Sequence, residues 1–159
     1  MSDGYFTIEV APTYYLNEDF EGSLEGWTTG QSRPWTNTTN ESYSGSHSMM
    51  SGTVSNDSET SYLYTEVSTP MYGSVTVSYY LWVDCPAGGG ANATFKLYVQ
   101  GNNSLYWSEL YLYSGYMDNW QQKTSTINLN GIATPPTIKW EFSGGYSSCK
   151  CYVDLVRVY

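Results

Sequence analysis

Positive charge is what this chain has least of. Six Lys plus Arg stand against fifteen Asp plus Glu, giving a formal charge of −9, and there is one His. A phosphate backbone is held by cationic contacts, so nucleic acid is disfavoured as a partner. Long apolar runs are also missing. Nothing approaches the roughly 20 residues that cross a bilayer as a helix, and no membrane partner is expected. The opening MSDGYFTIEV has neither the basic nor the apolar stretch of a secretory leader, which leaves open both a removed leader and none at all. The i, i+3, i+4, i+7 apolar spacing of an amphipathic helix does not occur over three turns, and Ala and Leu are scarce, so helices are not expected to build the fold.

Cysteine is sparse and odd in number: Cys85, Cys149 and Cys151. At most one internal disulfide can form. On a strand Cys149 and Cys151 would face one side about 7 Å apart, too far to bridge each other comfortably. Cys85 is therefore expected to pair with one of them. A zinc site is not expected, because a fourth ligand is missing and His47 lies far off. Catalytic signatures are absent as well: there is no G-x-S-x-G and no E-x-D-x-x-E carboxylate pairing, and His47 has no carboxylate or nucleophile motif beside it. No enzyme is expected.

What is present is alternation. At 159 residues the chain suits one domain with one core. Residues 74–83 set Val75, Val77, Tyr79, Leu81 and Val83 on one face and Thr76, Ser78, Tyr80 and Trp82 on the other. Residues 94–100 oppose Phe95, Leu97 and Val99 to Lys96, Tyr98 and Gln100, and residues 137–142 oppose Ile138, Trp140 and Phe142 to Lys139 and Glu141. This period of two describes half-buried strands. Further strands are expected at 62–67, 105–113, 123–129 and 151–159, separated by Gly- and Pro-bearing turns. The expected fold is all-β, an antiparallel two-sheet sandwich over residues 14–159, preceded by an extension, residues 1–13. Within that extension residues 5–10 alternate as an unattached strand that could add to a neighbour's sheet edge.

Two features ask for a site. NEDFEGSLEGW, residues 17–27, holds four of the fifteen acidic residues, and Asp154 interrupts the apolar last strand CYVDLVRVY. A buried carboxylate costs several kcal/mol unless it is paired or coordinated. If the first and last strands pair, the two acidic segments meet, and calcium accepts such oxygens. The alternative is that Glu18, Asp19, Glu21 and Glu25 simply solubilise an edge strand; Glu18 and Glu25 are expected to be solvated. Trp27 and Trp35 are expected in the core. Tyr80, Trp82 and Tyr98 project from the non-core face beside Lys96, Gln100, Lys139 and Glu141, and aromatic planes among hydrogen-bonding groups suit a flat sugar ring. The competing reading is that a loop or strand covers them. A second aromatic cluster is Tyr106, Trp107, Tyr111, Tyr113, Tyr116 and Trp120.

DFEGSLEGW, PWT, SYSGSHSMMSG, TIKWEF and YVDLVRV, in that order, resemble the jelly-roll carbohydrate-binding modules and the related MAM-like or adhesin modules of extracellular proteins. The resemblance runs from residue 17 to the end. It implies a β-sandwich and a non-catalytic surface-binding or adhesive role towards a glycan or cell-surface polymer; composition favours an exterior setting, extracellular or virion-surface. It also implies a structural calcium held by Glu21 and Asp154, with Asp19 and the loop around residues 44–47 contributing. The ligand-binding candidates are Tyr80, Trp82, Tyr98, Lys96 and Lys139. The alternative function is a structural subunit of a filament or virion that self-associates through residues 1–13.

Overall fold

The computed structural model describes residues 12–159 apart from 31, 57, 71, 86–92, 101–106, 116, 131, 133–134 and 145–147, and excludes the side chains at 107–108 and 110–114. The strand expected at residues 5–10 lies outside the described residues, as do Tyr106, Tyr116 and the side chains of Trp107, Tyr111 and Tyr113. The described residues form strands and no helix.

Two antiparallel sheets face each other. Sheet A contains β3 (Thr36–Thr38), β4 (Ser48–Met50), β11 (Lys150–Val158), β6 (Ser74–Asp84) and β9 (Gln121–Asn128), in that order, with β1 (Leu16–Glu18) also on β11. Sheet B runs β2 (Trp27–Thr29), β5 (Thr60–Glu66), β10 (Thr137–Ser143), β7 (Thr94–Gln100) and β8 (Trp107–Ser114). The architecture is a jelly-roll β-sandwich.

Alternation explains the core. Val75, Val77, Tyr79, Leu81 and Val83 of β6 face Phe95, Leu97 and Val99 of β7 and Ile138, Trp140 and Phe142 of β10, all buried. Trp35 is buried, and Trp27 is partly buried against Phe20 and Trp140, with ring centroids at 5.2 and 5.5 Å. Both tryptophans are thus core, as expected. Glu18 departs from expectation. Its carboxylate accepts the Trp27 indole N–H at 3.1 Å and the Phe20 amide at 2.7 Å, so it orients a core ring instead of standing in solvent.

The first and last strands pair, Leu16 opposite Val158 and Glu18 opposite Val156. Between Asp154 and Arg157 the register of β11 against β6 shifts, and Leu155 takes φ 51°. The bulge adds a residue to one strand. Val156 and Val158 therefore remain in the core while Arg157 points outward. The disulfide joins Cys85 to Cys149, and Cys151 is a buried free thiol. Register chooses between the two partners. Asp84 pairs with Lys150, so Cys149 follows opposite Cys85, while Cys151 pairs with Val83 and joins the core.

Candidate functional site

The outer face of sheet B carries a groove of about 750 Å³. Thr28, Tyr62, Tyr64, Lys139 and Glu141 line it, and the sheet register sets them beside their neighbours. One row across the strands runs Thr28, Tyr64, Lys139, Tyr98 and Glu109, and the next runs Tyr62, Glu141 and Lys96. Gln100, Glu66 and Thr60 extend the lining. Lys139 Nζ lies 4.5 Å from the centre of the Tyr98 ring and 2.9 Å from Glu141 Oε2. Lys96 Nζ meets Glu109 at 3.2 Å and approaches the same ring at 5.9 Å. Tyr98 is thus flanked by two ammonium groups, each bound to a carboxylate. Burial, and then the Glu141 carboxylate, push the Tyr98 phenol above its ordinary pKa, and the Glu109 hydrogen bond does the same for Lys96. Tyr62 and Tyr64 lie 6.4 Å apart between centroids and tilted. A Cβ at Gly30 would come 3.0 Å from the Tyr62 ring, so glycine there lets the ring lie across the backbone.

The five expected ligand-binding residues do not share one surface. Tyr98, Lys96 and Lys139 lie on sheet B, in or beside this groove, whereas Tyr80 and Trp82 lie on β6 and point from the outer face of sheet A. The two groups are on opposite sides of the sandwich. Both faces are out of phase with the core, and alternation cannot tell one from the other. On sheet A the covering reading applies. Tyr43 stacks on Tyr80 with centroids 3.4 Å apart, and Trp82 packs against Tyr152 at 5.3 Å and Trp120 at 6.0 Å. The Trp82 indole N–H donates to the Met117 carbonyl at 2.9 Å. Tyr62 and Tyr64 fall in the strand expected at 62–67 but are not among the expected ligand-binding residues. Ser61, Leu63 and Thr65 take the inward positions of β5, with Val67 buried just after it, and the small polar residues at 61 and 65 disguise its phase.

Glu21 and Asp154 converge, but on amides. The loop between β3 and β4 closes through Ser48 Oγ donating to the Glu41 carbonyl at 2.6 Å, and Ser42 Oγ donates to the Gly45 carbonyl at 3.2 Å. Asp154 Oδ2 accepts the Tyr43 and Ser44 amides at 2.8 and 2.9 Å, and Oδ1 accepts the Leu155 amide at 2.6 Å. Glu21 Oε1 accepts the Ser46 and His47 amides, both at 2.6 Å, and Oε2 faces His47 Nδ1 at 3.1 Å. Asp19 accepts the Glu21 amide at 3.2 Å and serves its own turn. The His47 side chain, then the two amides, holds the Glu21 carboxyl below its ordinary pKa. Burial raises that of Asp154 despite its amide partners. Arg33 pairs with Glu59 and Arg157 donates to Asn17, while His47 is the base that faces Glu21.

Calcium would need roughly six to eight oxygen ligands. Here the carboxylate oxygens face N–H donors, two loop carbonyls accept hydroxyls, and no group of three or more acidic, His or Cys side chains gathers among the described residues. In this arrangement the residues do not fit the ion.

No protein-family model and no curated protein matches the chain. Solved structures match in shape. A xylan-binding domain from carbohydrate-binding module family 22 superposes with TM-score 0.70 at 16% identity, covering 91% of this chain and 93% of that one. The C-terminal family 22 module of Clostridium thermocellum Xyn10B, described for conserved residues of its cleft in ligand binding, gives TM-score 0.67 at 16% identity over 91% of each chain. The K3 adhesin domain of Lys-gingipain from Porphyromonas gingivalis gives TM-score 0.67 at 19% identity, covering 92% of this chain and 99% of that one. At such identities the likeness establishes the fold, that of the carbohydrate-binding and adhesin modules.

Proposed function

We propose that this chain is a non-catalytic module that binds a glycan in the groove on sheet B, in an extracellular setting. The carrying observation is the grouping of Tyr62, Tyr64 and Tyr98 with Lys139, Glu141 and Gln100 in and around one groove of about 750 Å³. That volume suits a small-ligand site, in which apolar planes carry the ligand and a few polar groups orient it. Tyrosine rings offer flat faces to the C–H side of a pyranose. Lys139 and Glu141 then offer a donor and an acceptor to hydroxyls at fixed separation. Two carbohydrate-binding neighbours, one described for its ligand-binding cleft, support the reading by shape.

Isothermal calorimetry against a panel of soluble polysaccharides, xylan among them, tests this. At least one polymer should bind without release of reducing sugar. Tyr62→Ala and Tyr98→Ala should each weaken binding about tenfold or more, equivalent to roughly 1.4 kcal/mol. If no polymer binds, or if both variants bind as the parent does, the groove is not a glycan site.

A further inference from the structure

We infer that the loop between β3 and β4 is a double amide clasp for carboxylates from the two ends of the domain, and that this clasp takes the place of a cation. Four loop N–H groups act in two consecutive pairs. Tyr43 and Ser44 hold Asp154 from the last strand, while Ser46 and His47 hold Glu21 from the turn after the first strand. Successive amides turned to one side form a concavity that binds anions. Gly45, between the pairs, has φ 65°, and a Cβ there would collide with the Glu21 carboxylate. Two carbonyls of this loop, at Glu41 and Gly45, accept serine hydroxyls. The loop thus offers donors inward, the reverse of what a hard cation requires.

The clasp has a consequence for the rest of the molecule. It fixes Tyr43 against Tyr80 at a centroid separation of 3.4 Å, so the outer face of sheet A is covered without any metal. The inference is independent of glycan binding, and its test needs no ligand.

Melting should be measured by calorimetry on the intact chain in excess EDTA and in excess calcium. Amide protons should be followed by NMR in the parent, Glu21→Gln and Asp154→Asn. The clasp requires the same melting temperature in EDTA and calcium. It also requires Asp154→Asn to move the amide signals of Tyr43 and Ser44, and Glu21→Gln to move those of Ser46 and His47. A melting temperature that falls by several degrees in EDTA and recovers with calcium overturns it. So does a parent spectrum in which calcium, at stoichiometric addition, shifts those four amides. If a variant fails to fold, the EDTA and calcium arms on the parent still decide.

Discussion

Tyr98 stands beside the groove on sheet B, next to its lining. It sits opposite Lys139 in the sheet register, with Lys96 two positions before it on its own strand, and both ammonium groups lie over its ring. The folded-state pKa values of Tyr98 and Lys96 are both raised. A raised value means that the stabilisation is complete below the unfolded pKa and is lost as pH rises through the folded one. For Tyr and Lys that window opens above about 10. The contribution of these two groups to stability should therefore stay level between neutral and mildly alkaline pH and be lost above about pH 10, as a calorimetric melting series across pH would show. A loss already complete near neutrality would mean that another group controls it. The residues also show how far alternation could be read. Lys96, Tyr98 and Lys139 were correctly placed outside the core, because their strands alternate cleanly. Tyr80 and Trp82 were equally out of phase, yet which sheet a strand joins is decided by long-range pairing, and no local pattern reports it. Asp154 was recognised as needing a partner. That the partner is a set of backbone amides, which have no residue-type signature, could not be seen.

Among elements, the long strands were legible and the short ones were not. The span 94–100 coincides with β7, and 74–83 falls one residue short of β6, since seven or more alternating residues outweigh noise in the pattern. Strands β1 to β4 have three residues each, less than two periods, and exist because a neighbour pairs with them. The junctions carry backbone cost. Ser148, just before β11, is exposed and has φ 61°, a conformation that costs an L-residue roughly 1–2 kcal/mol. Glycine removes that cost but loses roughly 0.4–1 kcal/mol through a freer unfolded chain. Ser148→Gly should thus raise the melting temperature slightly, by about 2 °C for a domain of this size. Calorimetry on the purified variant checks it, and a lower melting temperature would show that the serine side chain matters more than the strain. Leu155 has a similar φ of 51°, but it forms the bulge that restores the inward phase of Val156 and Val158, and it is half-buried, so the same exchange is not expected to help there.

At the scale of the molecule the sandwich has two outer faces with different work, although both are rich in aromatic rings. Sheet A turns its rings onto one another: Tyr43 on Tyr80, and Trp82 between Tyr152 and Trp120. Their planes are consumed by mutual stacking and by the bond from Trp82 to Met117. Sheet B leaves Tyr62 exposed and spaces its tyrosines with charged pairs around a groove. Ring count alone does not separate the two; among the described residues, what separates them is the return of residues 41–47 across sheet A, where Tyr43 stacks on Tyr80. The faces should therefore respond oppositely to truncation. Trp82→Ala removes a half-buried ring and an indole bond and should lower stability by about 2–3 kcal/mol, below the full-core cost. For a domain of this size that is a melting drop of roughly 4–12 °C. At a temperature where the variant is still folded, its glycan affinity should stay within about twofold of the parent, or roughly 0.4 kcal/mol. Tyr62→Ala should do the reverse, keeping the melting temperature nearly unchanged because the ring is exposed, and losing affinity. Paired calorimetry on both variants, melting and titration, reads all four quantities. Loss of binding in Trp82→Ala with Tyr62→Ala unaffected would move the glycan site to sheet A, onto the stacked rings that the clasp holds in place.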